Sequence, residues 1–254
     1  MVYNPFTDIK QNMWERKLDI ATNLKKITGR IAEAARRAER DPKDVTLIAV
    51  TKNFPADAVR SAIDAGVKVV GESRAQEGVA KQDEVGEAGG TVEWHFIGHL
   101  QKNKVKYLLG RFSLIHSIDS YALAAEIDRL SKKRGDDIVD ILLQINIAGE
   151  GTKRGFSPEA ILDEAEKISR LSSVRIRGLM AIPPPLTEPG SIGEENRGYF
   201  REVARLKNEI NERGLPNAEI DTLSIGMSDD FEIAVEEGAT CVRVGSAIFG
   251  DRYA

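Results

Sequence analysis

The chain has 254 residues, with Lys+Arg 36 against Asp+Glu 40 and a formal net charge of −4. Hydrophobic residues make up 41% and charged residues 30%, which supports a real core and argues against disorder. The near-balance of charge gives no global drive toward nucleic acid or an anionic membrane. The single cysteine, Cys241, excludes an intramolecular disulfide. With only His95, His99 and His116 besides, the chain is poor in soft metal ligands and no metal site is expected.

The opening MVYNPFTDIKQNMWERK has no apolar segment of the secretory kind. No window approaches a membrane span. The expected compartment is therefore the cytoplasm. Residues 1–41 read as a long amphipathic helix that covers the main domain. Ile20, Leu24, Ile27, Ile31 and Ala34 line one face, its polar face mixes both charge signs, and Asp41-Pro42 stops it.

Apolar β-type runs then alternate with helical patterns. The strands read as 45–51, 67–72, 92–98, 112–118, 137–147, 174–182, 220–226 and 239–245. The helices between them read as 55–65, 73–85, 100–109, 120–134, 157–171, 194–213 and 229–237. Eight apolar strands separated by helices fit a parallel sheet covered on its faces. The size fits a single α/β domain over 1–254, a (β/α)8 TIM-type barrel with an additional long N-terminal helix. An open doubly wound sheet is the competing arrangement. The proline-rich stretch 182–193 reads as a long loop after strand six.

In such a barrel the chemistry sits at the C-terminal ends of the strands. Lys52 ends an otherwise apolar strand. A lysine partly withdrawn from water reacts as a neutral amine and forms Schiff bases with aldehydes, whereas a rim lysine that snorkels to water does not. The loops after strands seven and eight, GMSDD (226–230) and GSAIFG (245–250), are small and polar. Ser228, Gly245 and Ser246 there offer hydroxyls and close backbone approach to an anion, or ordinary turns and caps. Arg243 alternates with Val242 and Val244 and falls on the face of Cys241 and Gly245. Inside a barrel its guanidinium needs a partner, either a carboxylate such as Glu72 or a ligand. A lysine, an anion cradle and an inward arginine together point to a phosphorylated aldehyde, pyridoxal 5′-phosphate, with sugar phosphates as competitors.

The segments IAVTKNFP (48–55), VGESRAQE (70–77), WHFIGHLQKNK (94–104), GLMAIPP (178–184), LSIGMSDDFEIAVEEGAT (223–240) and VRVGSAIFGDR (242–252) occur in this order. In them the chain resembles the YggS/PROSC-type pyridoxal phosphate homeostasis proteins, relatives of the N-terminal barrel of alanine racemase. The resemblance implies pyridoxal phosphate held as an internal aldimine on Lys52. It implies phosphate contacts from Ser228, Gly245 and Ser246, with Met227 beside them and Arg243 opposite the ring nitrogen. Ser73 stands where the family usually has asparagine.

An arginine at the ring nitrogen has only donors and favours a shallow electron sink. Racemisation also needs an acid/base on each face of the substrate carbon. In alanine racemase a tyrosine from a further β domain supplies one of them, and this chain lacks that domain. His95 or His99 would be the best substitute at the mouth, and both read as structural. The expectation is a cofactor carrier without turnover, a monomer that hands pyridoxal phosphate to apoenzymes in transient contact. A pyridoxal phosphate-dependent amino-acid racemase is the alternative. Lys102 and Lys104 read as a solvated basic face, with a second cofactor site or a docking surface as rival readings.

Overall fold

The computed structural model describes residues 20–135, 138–149, 151, 154–187 and 193–250. Eight parallel strands close into a barrel: β1 (Thr46–Val50), β2 (Val69–Glu72), β3 (Glu93–Phe96), β4 (Leu114–Ile118), β5 (Val139–Ile145), β6 (Val174–Ala181), β7 (Ala218–Ser224) and β8 (Cys241–Val244). They pair in chain order, and β8 returns to β1 with Ile48 opposite Arg243 and Ala49 opposite Val244. The closed sheet settles the choice against the open one.

Around it lie α1 (Ile20–Arg37), α2 (Ala56–Asp64), α3 (Ala75–Val85), α4 (Tyr121–Arg134), α5 (Ile161–Ser169), α6 (Arg197–Glu212), α7 (Phe231–Glu236) and α8 (Ser246–Phe249). The helix expected over 100–109 is instead a 3₁₀ segment, Lys102–Tyr107. The connector is short and carries Asn103, and 3₁₀ geometry suits such brief turns. The four-residue α8 is a further difference from the expected elements. Of the covering helix expected over 1–41, residues 1–19 lie outside the described residues.

The described part of that helix does cover the barrel. Leu24, Ile27, Ile31, Ala34 and Ala35 of α1 are buried, and the helix packs on α7 and α8. Asn23 Nδ2 donates to the Ile248 carbonyl at 3.0 Å, Arg40 Nη1 to the Val235 carbonyl at 2.6 Å, and Arg30 pairs with Glu232 at 2.7 Å. The helix thus backs the two segments that follow strands seven and eight.

Strand alternation decides which side chains enter the bore. Ile48, Val69 and Cys241 form one apolar cluster, and Leu114, Leu142 and Met180 another. Ala49, Val70 and Val242 belong to the larger core between sheet and helices. Glu72 is on the helix side as well, because it shares parity with Val70. Its partner is therefore Lys81 of α3, not Arg243. Lys81 Nζ lies 2.6 Å from Glu72 Oε1 and donates to the Thr51 carbonyl at 2.8 Å. Thr51 Oγ1 donates to the same carboxylate oxygen at 2.5 Å. Glu72 is fully buried and Lys81 only 6% exposed. Glu72 Oε2 has no hydrogen-bond partner among the described residues. Burial pushes the Glu72 carboxyl above its usual range, and Lys81 offsets that only in part.

Removing one member of a buried ion pair leaves an uncompensated charge and costs about 3–5 kcal/mol. Lys81→Met should therefore lower the unfolding free energy by about 3 kcal/mol at pH 8, read by urea denaturation. A carboxyl whose folded pKa exceeds its unfolded value loses stability as pH rises past the unfolded value. Without Lys81 that elevation grows, so the deficit should shrink at pH 5, where Glu72 can hold a proton. An equal deficit at both pH values would contradict this account of the pair.

Candidate functional site

The C-terminal end of β1 leads into a β-turn. The Phe54 amide donates to the Thr51 carbonyl at 3.0 Å, which places Lys52 and Asn53 at the two central positions. Asn53 has φ 65°, a left-handed value that asparagine tolerates better than most residues. Its amide donates to Glu77 Oε1 at 2.8 Å, and its side-chain oxygen accepts from Arg74 at 3.2 Å. Lys52 is half-buried, in phase with Ile48 and Val50, and flanked by two residues that α3 holds in place. The turn is a built feature, fastened from outside the bore.

Two further turns meet it. Register places Gly245 beside Val50. A Cβ added at Gly245 would lie 3.4 Å from both the Val50 carbonyl and its Cβ. The Phe54 ring packs against Phe249 with centroids 5.1 Å apart. Ser246 Oγ donates to Ser228 Oγ at 3.1 Å, so the turns after β7 and β8 bring their hydroxyls together. Gly226 has φ 87°, and a Cβ there would lie 2.5 Å from that of Ala234. Asp230 shapes the same turn: Oδ1 accepts from the Met227 amide at 2.6 Å, and Oδ2 from Asn196 Nδ2 at 2.8 Å. The Met227 amide is thus engaged within the turn, and its carbonyl accepts from the Asp230 and Phe231 amides. Burial pushes the Asp230 carboxyl upward.

Arg243 reaches across the bore. Nη1 donates to the Ser224 carbonyl at 2.7 Å and to Ser224 Oγ at 2.6 Å, and Nη2 donates to the Ala181 carbonyl at 3.0 Å. Three of its five N–H groups are used in these bonds. Among the described residues no carboxylate forms an ion pair with it. Burial pulls the guanidinium down to about 10, so it remains a cation at neutral pH. Cys241, on the same strand face, is pushed by burial up to about 12 and stays a thiol.

These parts fit a small molecule that combines an aldehyde, an anion and a hydrogen-bond acceptor. An amine such as that of Lys52 could meet the first, the paired serine hydroxyls the second, and the remaining Arg243 donors the third. Gly245 and the Gly226 turn provide the close backbone approach. Ser73 is half-buried and lines a neighbouring cavity of about 410 Å³ with His99 and Lys104. His99 Nδ1 is 3.6 Å from Asp119, and Lys104 Nζ donates to Gln76 Oε1 at 2.8 Å; Lys102 is exposed. His95 and His116 are inside the barrel and bond to each other. Of the support residues, Glu77 and Asp230 fall inside the segments 70–77 and 226–230 without their roles being evident there, and Lys81 and Asn196 lie outside any of the segments. Only Asn53, an asparagine between a lysine and Phe-Pro, signals its turn in the sequence.

The family described as alanine racemase, N-terminal domain, matches residues 22–253. A pyridoxal phosphate homeostasis protein of Aquifex aeolicus is 40% identical over 235 residues, covering 92% of this chain and 99% of that one. One from Pseudomonas aeruginosa is 42% identical over 235 residues, covering 92% and 96%. The structure of PipY from Synechococcus elongatus with PLP bound superimposes with a TM-score of 0.76 at 37% identity, covering 91% of this chain and all of that one. The barrel, the match along nearly its whole described length and these relatives agree: the chain belongs to the alanine racemase N-terminal domain family and, within it, to the pyridoxal phosphate homeostasis proteins.

Proposed function

We propose that this protein binds pyridoxal 5′-phosphate on Lys52 and serves cofactor homeostasis rather than turnover. The observation that carries the reading is the convergence of the Lys52 turn, the Ser228–Ser246 hydroxyl pair and a carboxylate-free Arg243 at one end of one barrel. The names of the relatives and the PLP-bound PipY structure support the choice of ligand.

The division of labour follows from the donors. Lys52 would hold the cofactor covalently, its amine being the group that condenses with an aldehyde with loss of water. Ser228 and Ser246 donate to phosphate oxygens, with Gly245 leaving room for the backbone to approach. Met227 holds the shape of the cradle through its bond to Asp230. Arg243 directs its remaining N–H groups toward the pyridine nitrogen. Pyridoxal phosphate supplies an electrophilic aldehyde and an electron-withdrawing ring. Arg243 keeps that ring nitrogen unprotonated, because a guanidinium only donates.

The absence of turnover rests on the mouth's acid/base groups. His95 is committed to His116 and Glu93 inside the barrel, and His99 sits beside Asp119. Neither is placed by these contacts to serve the second face of a substrate carbon. The same reading makes the chain 1–254 one cytoplasmic, monomeric carrier that delivers its cofactor to apoenzymes by transient contact. Among the described residues no helix is long and apolar enough to cross a membrane.

Lys52→Ala should abolish the visible absorption of protein reconstituted with pyridoxal phosphate, and an unchanged spectrum would remove Lys52 from the site. Chiral analysis after prolonged incubation with L-alanine and other L-amino acids should show no accumulation of D-isomers. Sustained racemisation would favour the enzyme instead.

A further inference from the structure

A chain of hydrogen bonds leads from Arg243 through the bore to the opposite rim. Arg243 Nη1 lies 2.6 Å from Ser224 Oγ, and that oxygen lies 2.9 Å from His116 Nδ1. His116 Nε2 lies 3.0 Å from His95 Nδ1, and His95 Nε2 lies 3.3 Å from Glu93 Oε2. Five side chains from β8, β7, β4 and β3 are linked end to end. Arg243, Ser224, His116 and His95 are buried, whereas the Glu93 side chain is 66% exposed where β3 begins.

The two ends dictate the direction of every link. Arginine only donates, so Ser224 Oγ accepts from it. A carboxylate only accepts, so His95 Nε2 carries the proton it shares with Glu93. A neutral imidazole has one donor and one acceptor, so His95 Nδ1 accepts from His116 Nε2. His116 Nδ1 is then an acceptor for the Ser224 hydroxyl. Each link holds one proton. The reverse arrangement would point two donors at Ser224 Oγ and leave its own proton without an acceptor in the relay. It would also set a ring lone pair of His95 against the Glu93 carboxylate.

The electrostatics keep the His116 ring at the centre of the relay neutral. Burial, with His95 and Arg243 beside it, keeps His116 well below the usual imidazole value. The hydrogen bond from His95 holds the Glu93 carboxyl below the usual carboxylate range. Every dipole in the relay turns its negative end toward Arg243. The relay therefore adds its dipoles to the field of the nearby Asp230 carboxylate in favour of the Arg243 cation, without forming an ion pair with it.

We propose that Ser224 and His116 are positioning residues. They stand in a relay whose histidines are neutral Nε2–H tautomers, and they fix Arg243 as a charged donor aimed at the pyridine nitrogen. What Arg243 faces rests on the cofactor reading; the relay itself does not.

The test is nitrogen-resolved NMR of the imidazoles in the ligand-free protein at neutral pH, followed by visible spectra after reconstitution with pyridoxal phosphate. Both His95 and His116 should appear as neutral Nε2–H rings. His116→Phe should shift the visible maximum, while Glu93 keeps the His95 proton on Nε2. His116→Gln, whose amide both accepts and donates, should restore the maximum. Ser224→Ala serves as a second break if His116→Phe does not fold, and should shift the maximum likewise. An Nδ1–H or doubly protonated His116 overturns the proposal. So does a folded relay-breaking variant whose spectrum matches that of the parent. Loss of the cofactor reading would show separately, as a Lys52→Ala spectrum equal to the parent's with the tautomers still as predicted.

Discussion

The pairing of β8 with β1 is the constraint on which the site depends. Lys52 and Ser246 are 194 residues apart in sequence, and only barrel closure brings their turns together. With Ala49 opposite Val244, Val50 meets Gly245, and the turns that follow emerge at the same rim. The Phe54–Phe249 contact continues this junction beyond the strands. Helix α1 reinforces it from outside through Asn23 and the Ile248 carbonyl. A shift of the β1–β8 register by one residue would turn Arg243 out of the bore and Val244 into it.

Two buried cations in this molecule have opposite surroundings. Lys81 lies on the helix side of the sheet against Glu72, where its charge is neutralised and its work is to hold the Thr51 carbonyl. Arg243 lies in the bore against carbonyls and a hydroxyl, with no ion-pair partner among the described residues and the Asp230 charge nearby. The first arrangement makes a rigid support. The second leaves a positive field and spare donors facing the mouth. One residue of alternation on β2, Gly71 inward and Glu72 outward, separates the two outcomes. A Cβ at Gly71 would lie 2.8 Å from Ile48 Cγ2, so the inward position has no room for a longer side chain.

Much of this was legible in the sequence because period and composition carry it. Eight apolar runs with helical patterns between them pointed to the barrel, and the turns at 226–228 and 245–246 lie after the strands expected for them. The apolar stripe of α1 also read correctly over its described length. What the sequence did not show depends on side-chain pairings that only the packed fold fixes. No motif says that Lys81 would find Glu72 across the helix–sheet layer, or that Asp230 would take Asn196 as well as the Met227 amide. The histidines looked structural one at a time, and their linkage to Arg243 exists only once four strands face one bore. Glu72 as a partner for Arg243 was an avoidable misreading, since alternation from Gly71 already turns it away.

Borohydride reduction of the protein loaded with pyridoxal phosphate, followed by peptide mapping, tests the central claim most directly. The account predicts a pyridoxyl group fixed to Lys52 and to no other lysine at one equivalent. Label on Lys81, Lys102 or Lys104 instead, or no covalent label at all, would contradict it.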